Sequence, residues 1–104
     1  MFARLTFINV KPDRRDDFKA TFNEEVVPVV KNQKGNLGIW LLEPSNGTDD
    51  YISLTEWVSK NDADAYDSSG TYKAMVEKID EDMYKSKPIL KTYNIAESKI
   101  MVSM

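Results

Sequence analysis

Short apolar segments bounded by turn-forming residues predict four β-strands. Residues 2–10 are rich in β-branched, aromatic and aliphatic side chains, as is typical of a strand. Similar segments predict strands over residues 37–43, 51–57 and 90–96. The turn-forming residues 44–49 favour an antiparallel hairpin between the second and third strands. The alternating tail at Ile100, Val102 and Met104 predicts an additional edge strand.

Apolar residues at helical spacing predict two long helices and a short one. The first long helix is expected over residues 13–32, with Pro28 kinking its last turns. Ser59 and Asp62 form a capping pattern that predicts a short helix over residues 61–66. A second long helix follows residues 68–70, runs through Met83 and is closed by Pro88. This order predicts one α+β domain over residues 1–104, with a four-stranded sheet and two helices on one face.

Both faces of the predicted sheet carry apolar residues. In the second strand, Ile39 and Leu41 lie on one face, and Trp40 and Leu42 lie on the other. A chain of 104 residues is too small to cover both faces with helices, and an exposed apolar face of this size is unusual for a monomer. We therefore predict a homodimer formed through sheet-to-sheet contact. Aspartate in place of Ile39 or Leu41 is expected to break it.

Composition excludes several kinds of partner. The 14 basic and 17 acidic residues give a net charge of −3, which is unfavourable for binding nucleic acid. No apolar stretch approaches the roughly 20 residues of a membrane span, and the first residues lack a signal-peptide pattern, so no membrane partner and a cytoplasmic location are expected. The chain contains no histidine and no cysteine, and the acidic run 80–82 is interpreted as solvated surface, so no metal site is predicted.

Three short motifs occur in an order that points to a known family. They are Arg4-Leu5-Thr6-Phe7, Leu54-Thr55-Glu56-Trp57 and Ser68-Ser69-Gly70-Thr71-Tyr72. With these motifs the chain resembles the antibiotic biosynthesis monooxygenase domain of the dimeric α+β barrel superfamily. The resemblance implies a ferredoxin-like βαββαβ subunit with an antiparallel sheet, pairing into a dimeric α+β barrel. It also implies a small apolar or aromatic ligand held between each sheet and its own helices.

Members of the family that this chain resembles differ in activity. Several oxygenate aromatic polyketides or quinols without metal or flavin, some degrade haem, and others have isomerase or unknown roles. The haem-degrading branch uses an asparagine, a tryptophan and a histidine at positions that hold Ala3, Tyr66 and Val76 here. Because the chain has no histidine, haem degradation by that route is not expected, and no cofactor is predicted.

The resemblance favours a cofactor-independent monooxygenase that acts on a small aromatic or quinol-like substrate. Trp57, Tyr66 and Tyr72 are candidate catalytic residues, because an indole or phenol can donate a hydrogen bond to a developing oxyanion. Asn9 is a further polar candidate on the first strand. The expected ligand pocket is lined by Phe7, Phe22, Met75 and Ile79.

Two interpretations of these residues remain open. The aromatic candidates also lie at ordinary core spacings, so a noncatalytic ligand-binding or structural dimer is the alternative to an enzyme. Arg4 and Glu56 are expected on the sheet face opposite the helices, where they would form a buried ion pair near the dimer interface.

Overall fold

The computed structural model describes residues 1–96 and contains a four-stranded antiparallel sheet. The strands are β1 (Phe2–Ile8), β2 (Asn36–Leu42), β3 (Tyr51–Trp57) and β4 (Ile89–Asn94). They lie in the order β2-β3-β1-β4, and each neighbouring pair is antiparallel. This arrangement confirms the predicted α+β fold of the ferredoxin-like type. The edge strand predicted at Ile100, Val102 and Met104 lies outside the described residues.

The first helical segment, residues 12–30, is continuous but changes its hydrogen-bond register. A 3₁₀ turn (Pro12–Arg14) leads into α1 (Arg15–Thr21), a π-helical turn (Phe22–Val26) and α2 (Val27–Val30). Pro28 has no N–H to offer the carbonyl four residues earlier, and its ring crowds that carbonyl. The N–H of Val27 instead reaches back five residues to the carbonyl of Phe22. A π-helical turn therefore lies just before Pro28, the residue at which the sequence predicts a kink.

The short helix begins with the predicted cap. Helix α3 spans Lys60–Ser68, and the Ser59 hydroxyl accepts a hydrogen bond from the backbone N–H of Asp62 at 3.2 Å. Gly70, whose φ of 85° suits a residue without a side chain, then separates α3 from α4 (Thr71–Lys78).

The second long helix is shorter than predicted. Helix α4 ends at Lys78 because the backbone of Ile79 is extended, with φ −96° and ψ 123°. A separate 3₁₀ turn (Glu81–Met83) follows, and the Asp80 carboxylate accepts a hydrogen bond from the backbone N–H of Asp82 at 2.9 Å. Within residues 1–96, no helix combines the length and apolar character that crossing a bilayer requires.

The helices cover one face of the sheet, and the core lies between them. Tyr51 and Trp57 of β3 are buried on this face together with Phe18 and Val30 of the helices. Ile39 also packs against this core, as does Leu41. The prediction that aspartate at these two β2 positions would lie in a sheet-to-sheet interface is therefore wrong. Trp40 and Leu42, which alternate with them along β2, lie on the opposite face of the sheet, which the helices leave uncovered.

Candidate functional site

A narrow cleft lies between the sheet and the helices. Its empty volume, including the open mouth, is about 540 Å³. The walls are mainly apolar and include Phe22 and Val26 of the π-helical turn, Met75 of α4 and Ile79 just after it. An apolar cleft that also contains a few polar groups is the usual form of a small-molecule site.

The polar groups of this cleft come mostly from the floor, which is formed by the two central strands. Arg4 and Thr6 of β1 line the cleft, as do Ser53 and Thr55 of β3. Arg4 lies directly opposite Thr55 in the antiparallel register, and Thr6 lies opposite Ser53. Because residues two apart in a strand share a face, the sheet places one cation beside three hydroxyl-bearing residues.

Arg4 is buried on the helix side of the sheet. Its side chain is 5% exposed, and Nη1 donates a hydrogen bond to Oδ2 of Asp67 at 3.1 Å. Nη2 is buried and has no hydrogen-bond partner within residues 1–96. Glu56 pairs with Ala3 in the register and lies on the uncovered face. The predicted ion pair between Arg4 and Glu56 is therefore wrong, since the two side chains lie on opposite faces.

Two tyrosine rings surround the Arg4 guanidinium. Its Cζ lies 4.5 Å from the ring centroid of Tyr72 and 5.5 Å from that of Tyr66. The two rings meet edge to face, with their centroids 5.9 Å apart. Aromatic faces attract a cation at these distances. The two tyrosines of α3 and α4 therefore cover the guanidinium that β1 contributes to the floor.

Two phenols of the cleft, those of Tyr66 and Tyr84, are hydrogen-bond donors at neutral pH. Burial raises the pKa of Tyr66 to about 12, although the nearby charge of Arg4 acts in the opposite direction. Burial likewise raises the pKa of Tyr84 to about 12. Both residues line the cleft and stay protonated, so they can donate a hydrogen bond to an oxygen that becomes negatively charged.

Trp57 supports the cleft by packing against Tyr66, one of the lining residues. It is fully buried and stacks on Tyr66, with the ring centroids 5.0 Å apart. Its Nε1–H donates a hydrogen bond to Oγ1 of Thr55 at 2.9 Å. The indole N–H that was predicted to face a ligand is therefore already bound within the protein.

The remaining predicted site residues divide into two groups. The residues that line the cleft are Tyr66, Tyr72, Phe22, Met75 and Ile79. Phe7 lies on the uncovered face, where Nζ of Lys91 is 5.2 Å from its ring centroid. Asn9 follows the end of β1, and its carbonyl accepts a hydrogen bond from the N–H of Lys85 at 2.8 Å. Neither Phe7 nor Asn9 lines the cleft, which corrects their predicted placement.

Arg4 is a cleft residue that was not predicted, because the opposite face of β1 was expected to meet the helices. Ala3, which aligns with the asparagine of the haem-degrading branch, lies on the uncovered face. Phe2 and Ile8 share the face of Arg4, but Leu5 and Phe7 make the other face equally apolar, so the sequence carried no signal that decides between the two faces.

Comparison with known proteins relates the chain to one family and one fold. Residues 1–78 match the family model described as antibiotic biosynthesis monooxygenase. The structure resembles the haem-degrading protein MhuD from Mycobacterium tuberculosis with two haems bound in its active site. The TM-score is 0.79 at 19% identity, over 95% of this chain and 99% of that one.

Two further solved structures are similar, and both are described as candidate antibiotic biosynthesis monooxygenases. The protein from Nitrosomonas europaea has a TM-score of 0.77 at 15% identity, over 93% of this chain and 100% of its own. The protein from Caulobacter crescentus CB15 has a TM-score of 0.76 at 17% identity, over 92% and 90%. No curated protein matches the chain. At these identities the structural likeness shows a shared fold.

Proposed function

Because the chain belongs to the antibiotic biosynthesis monooxygenase family, we propose that it oxygenates a small aromatic or quinol-like molecule without metal or flavin. The observation that carries this proposal is the position of protonated donors in an otherwise apolar cleft. Tyr66 contributes a phenol to the cleft, and Arg4 contributes a cation to its floor. Such groups stabilise negative charge that develops in a site where water is scarce.

The proposed chemistry draws its electrons from the substrate. An ionised phenol or enol transfers one electron to dioxygen, and the resulting organic radical and superoxide combine into a peroxide. Protonation of the peroxide and loss of water leave a carbonyl, so that a CH₂ group and O₂ become C=O and H₂O. The protein holds the ring against the apolar walls, and Tyr66 donates a hydrogen bond to the oxygen that carries the charge.

The cleft is narrow, and the space inside it that a water molecule can occupy is about 50 Å³. This is below the roughly 300 to 1,000 Å³ of most small-molecule sites, so a ring-sized substrate must widen the cleft as it enters. Its walls offer Phe22 and Met75, and the ring of Tyr72 borders the same space. Flat aromatic molecules suit these surfaces because both are apolar and the rings can stack.

We also propose that the chain forms a homodimer through the uncovered sheet face. A row of adjacent residues crosses this face from Trp40 through Leu54 to Leu5. A second row runs from Leu42 through Ile52 and Phe7 to Ile89. Several of these side chains are large and exposed in the single chain, which favours their burial against a second copy.

Oxygen consumption tests the proposed activity directly. In metal-free buffer without flavin, the protein should accelerate oxygen uptake with an anthrone or a hydroquinone above the rate without protein. The product of the anthrone should contain one new carbonyl oxygen derived from ¹⁸O₂. Binding of these compounds without any oxygen uptake, across a chemically broad panel, would favour the ligand-binding alternative over the monooxygenase.

A further inference from the structure

The guanidinium of Arg4 is a buried cation with incomplete hydrogen bonding. Nη1 is 3.1 Å from Oδ2 of Asp67, whose side chain is 50% exposed. Nη2 is buried and meets no acceptor within residues 1–96. A guanidinium has five N–H donors, and leaving one buried and unpaired is unfavourable. This nitrogen is therefore suited to an acceptor supplied by a ligand.

The groups around Arg4 do not supply that acceptor. The rings of Tyr66 and Tyr72 attract the cation through their faces, but a ring face is a weak substitute for an oxygen. The ionisable residues that line the cleft within residues 1–96 are Arg4 and three tyrosines. In the described part of the chain, the carboxylate that reaches Arg4 is that of Asp67, whose side chain is half exposed. The interior of the cleft consequently favours an anion.

We propose that Arg4 is the anion receptor of the cleft and that its Nη2 binds the ionised oxygen of a hydroxyaromatic ligand. The cleft then takes up the phenolate or enolate in preference to the neutral molecule. This inference rests on the proposed function in one respect, since it takes the ligand of the cleft to be a hydroxyaromatic molecule. Binding of the anion requires no oxygen, so it can be measured separately from turnover.

The ring of Tyr72 lies over the receptor. It is 4.5 Å from the guanidinium, and the residue is only partly buried. Because Nη2 is buried, an incoming ligand must displace a neighbouring group to reach it, and we assign that movement to the ring of Tyr72. The incoming anion competes with Asp67 for the same cation, so removal of that carboxylate should strengthen binding.

A nitrophenol is a suitable probe because its ionised form absorbs visible light. When the nitrophenol binds the wild-type protein, its acid ionisation constant should increase at least about tenfold. An opposite charge within a few ångströms favours the ionised form. The matching nitroanisole, which cannot ionise, should bind at least about tenfold more weakly. Arg4→Met should abolish both differences. Arg14→Met is the matched control, because Arg14 pairs with Asp17 on α1 and does not line the cleft.

Two more variants keep the test decisive if Arg4→Met does not fold. Arg4→Lys retains the charge without the second nitrogen and should bind the phenolate more weakly than the wild type. Asp67→Asn should bind it more tightly and show a larger ligand-induced rise in Tm. Unchanged probe ionisation in the wild type, or equal affinity for the nitrophenol and the nitroanisole, would overturn the proposal.

Further outcomes test which kind of anion binds and whether anion binding and oxygenation can fail separately. Preference for a nitrobenzoate over the nitrophenolate at equal ionisation would overturn the phenolate assignment. If the probe ionises on binding but no quinol consumes oxygen, the receptor stands and the monooxygenase proposal fails. If oxygen uptake is found and Arg4→Met leaves both uptake and probe ionisation unchanged, the receptor fails alone.

Discussion

The ring of Tyr66 stacks on the indole of Trp57, with the centroids 5.0 Å apart and the planes at 29°. The two rings have different surroundings. The phenol residue lines the cleft, whereas the indole is fully buried and donates its N–H to Thr55. The two aromatic residues therefore have separable roles, one toward the ligand and one in supporting the first.

Conservative replacement of each ring should separate these roles. Tyr66→Phe removes a donor from the cleft and should lower kcat by roughly 10- to 1000-fold, the range for loss of one oxyanion donor. Trp57→Phe should mainly lower the free energy of unfolding, by about 1 to 2 kcal/mol, because a buried hydrogen bond and part of an aromatic surface are lost. Oxygen-uptake kinetics and urea unfolding measure the two effects. Equal losses of kcat in both variants, each shown to be folded, would contradict this division.

The sequence predicted the elements well but not the face of β1 that meets the helices. Alternation places Phe2 and Ile8 on one face and Leu5 and Phe7 on the other, so hydrophobicity alone does not select between them. An arginine on the buried face argues against that choice by ordinary residue preference. The contacts that stabilise Arg4 come from α3 and α4, and its partner Asp67 is 63 positions away from it in the sequence. Such a nonlocal arrangement has no local sequence signal.

The uncovered sheet face gives a prediction about assembly. The wild-type protein should scatter light as a particle of about twice 11.9 kDa, the mass of one chain. Leu54→Asp should yield a monomer or an aggregate, because the new carboxylate would lie in the proposed interface. Ala74→Asp adds the same charge to an exposed position on α4 and should remain dimeric. A stable wild-type monomer at micromolar concentration would remove the basis of the dimer proposal.

Helix boundaries were predictable where a local signal existed. Ser59 capped α3 as predicted, and the predicted break before the last helix coincides with the positive φ of Gly70. The early end of α4 was missed because Met83 continues the apolar spacing beyond the helix. Met83 is buried from a 3₁₀ turn instead, so apolar spacing did not distinguish the two conformations.

Gly35 should be among the least replaceable residues of the fold. Its φ is 79°, an added Cβ would overlap the Asp62 side chain, and its carbonyl accepts a hydrogen bond from the Val58 N–H at 2.8 Å. Gly35→Ala should lower the free energy of unfolding by more than the roughly 1 to 2 kcal/mol of left-handed backbone strain alone.

Two other glycines provide the controls for that measurement. Gly70→Ala meets open space at φ 85°, so it should show the backbone cost alone. Gly47→Ala meets open space without a positive φ and should be nearly neutral. Urea unfolding of all three variants gives the comparison, and a Gly35→Ala protein as stable as Gly47→Ala would refute the proposed overlap.

Haem should not be degraded by this protein, in spite of its structural likeness to a haem-degrading one. The chain contains no histidine to ligate iron in the usual way, and Val76 and Tyr66 are the residues that line the cleft at two aligned positions. Incubation of the haem-mixed protein with a reductant should leave the tetrapyrrole closed, as followed by absorption spectra and an iron-chelator assay. Conversion to an open tetrapyrrole that Tyr66→Phe abolishes would show this prediction to be wrong.

Stability should fall at alkaline pH in a way that Tyr66 partly determines. Its pKa in the folded protein is about 12, raised from the ordinary 10 mainly by burial. The fold therefore favours the protonated phenol, and this contribution is complete below about pH 10 and is lost as the pH rises through about 12. Tyr66→Phe removes the titrating group, so its free energy of unfolding should decline less over that range. Tyr93→Phe is the control, because Tyr93 is 51% exposed, and it should follow the wild type. Urea unfolding at several pH values measures the slopes, and identical slopes for all three proteins would show that the buried phenol does not control alkaline stability.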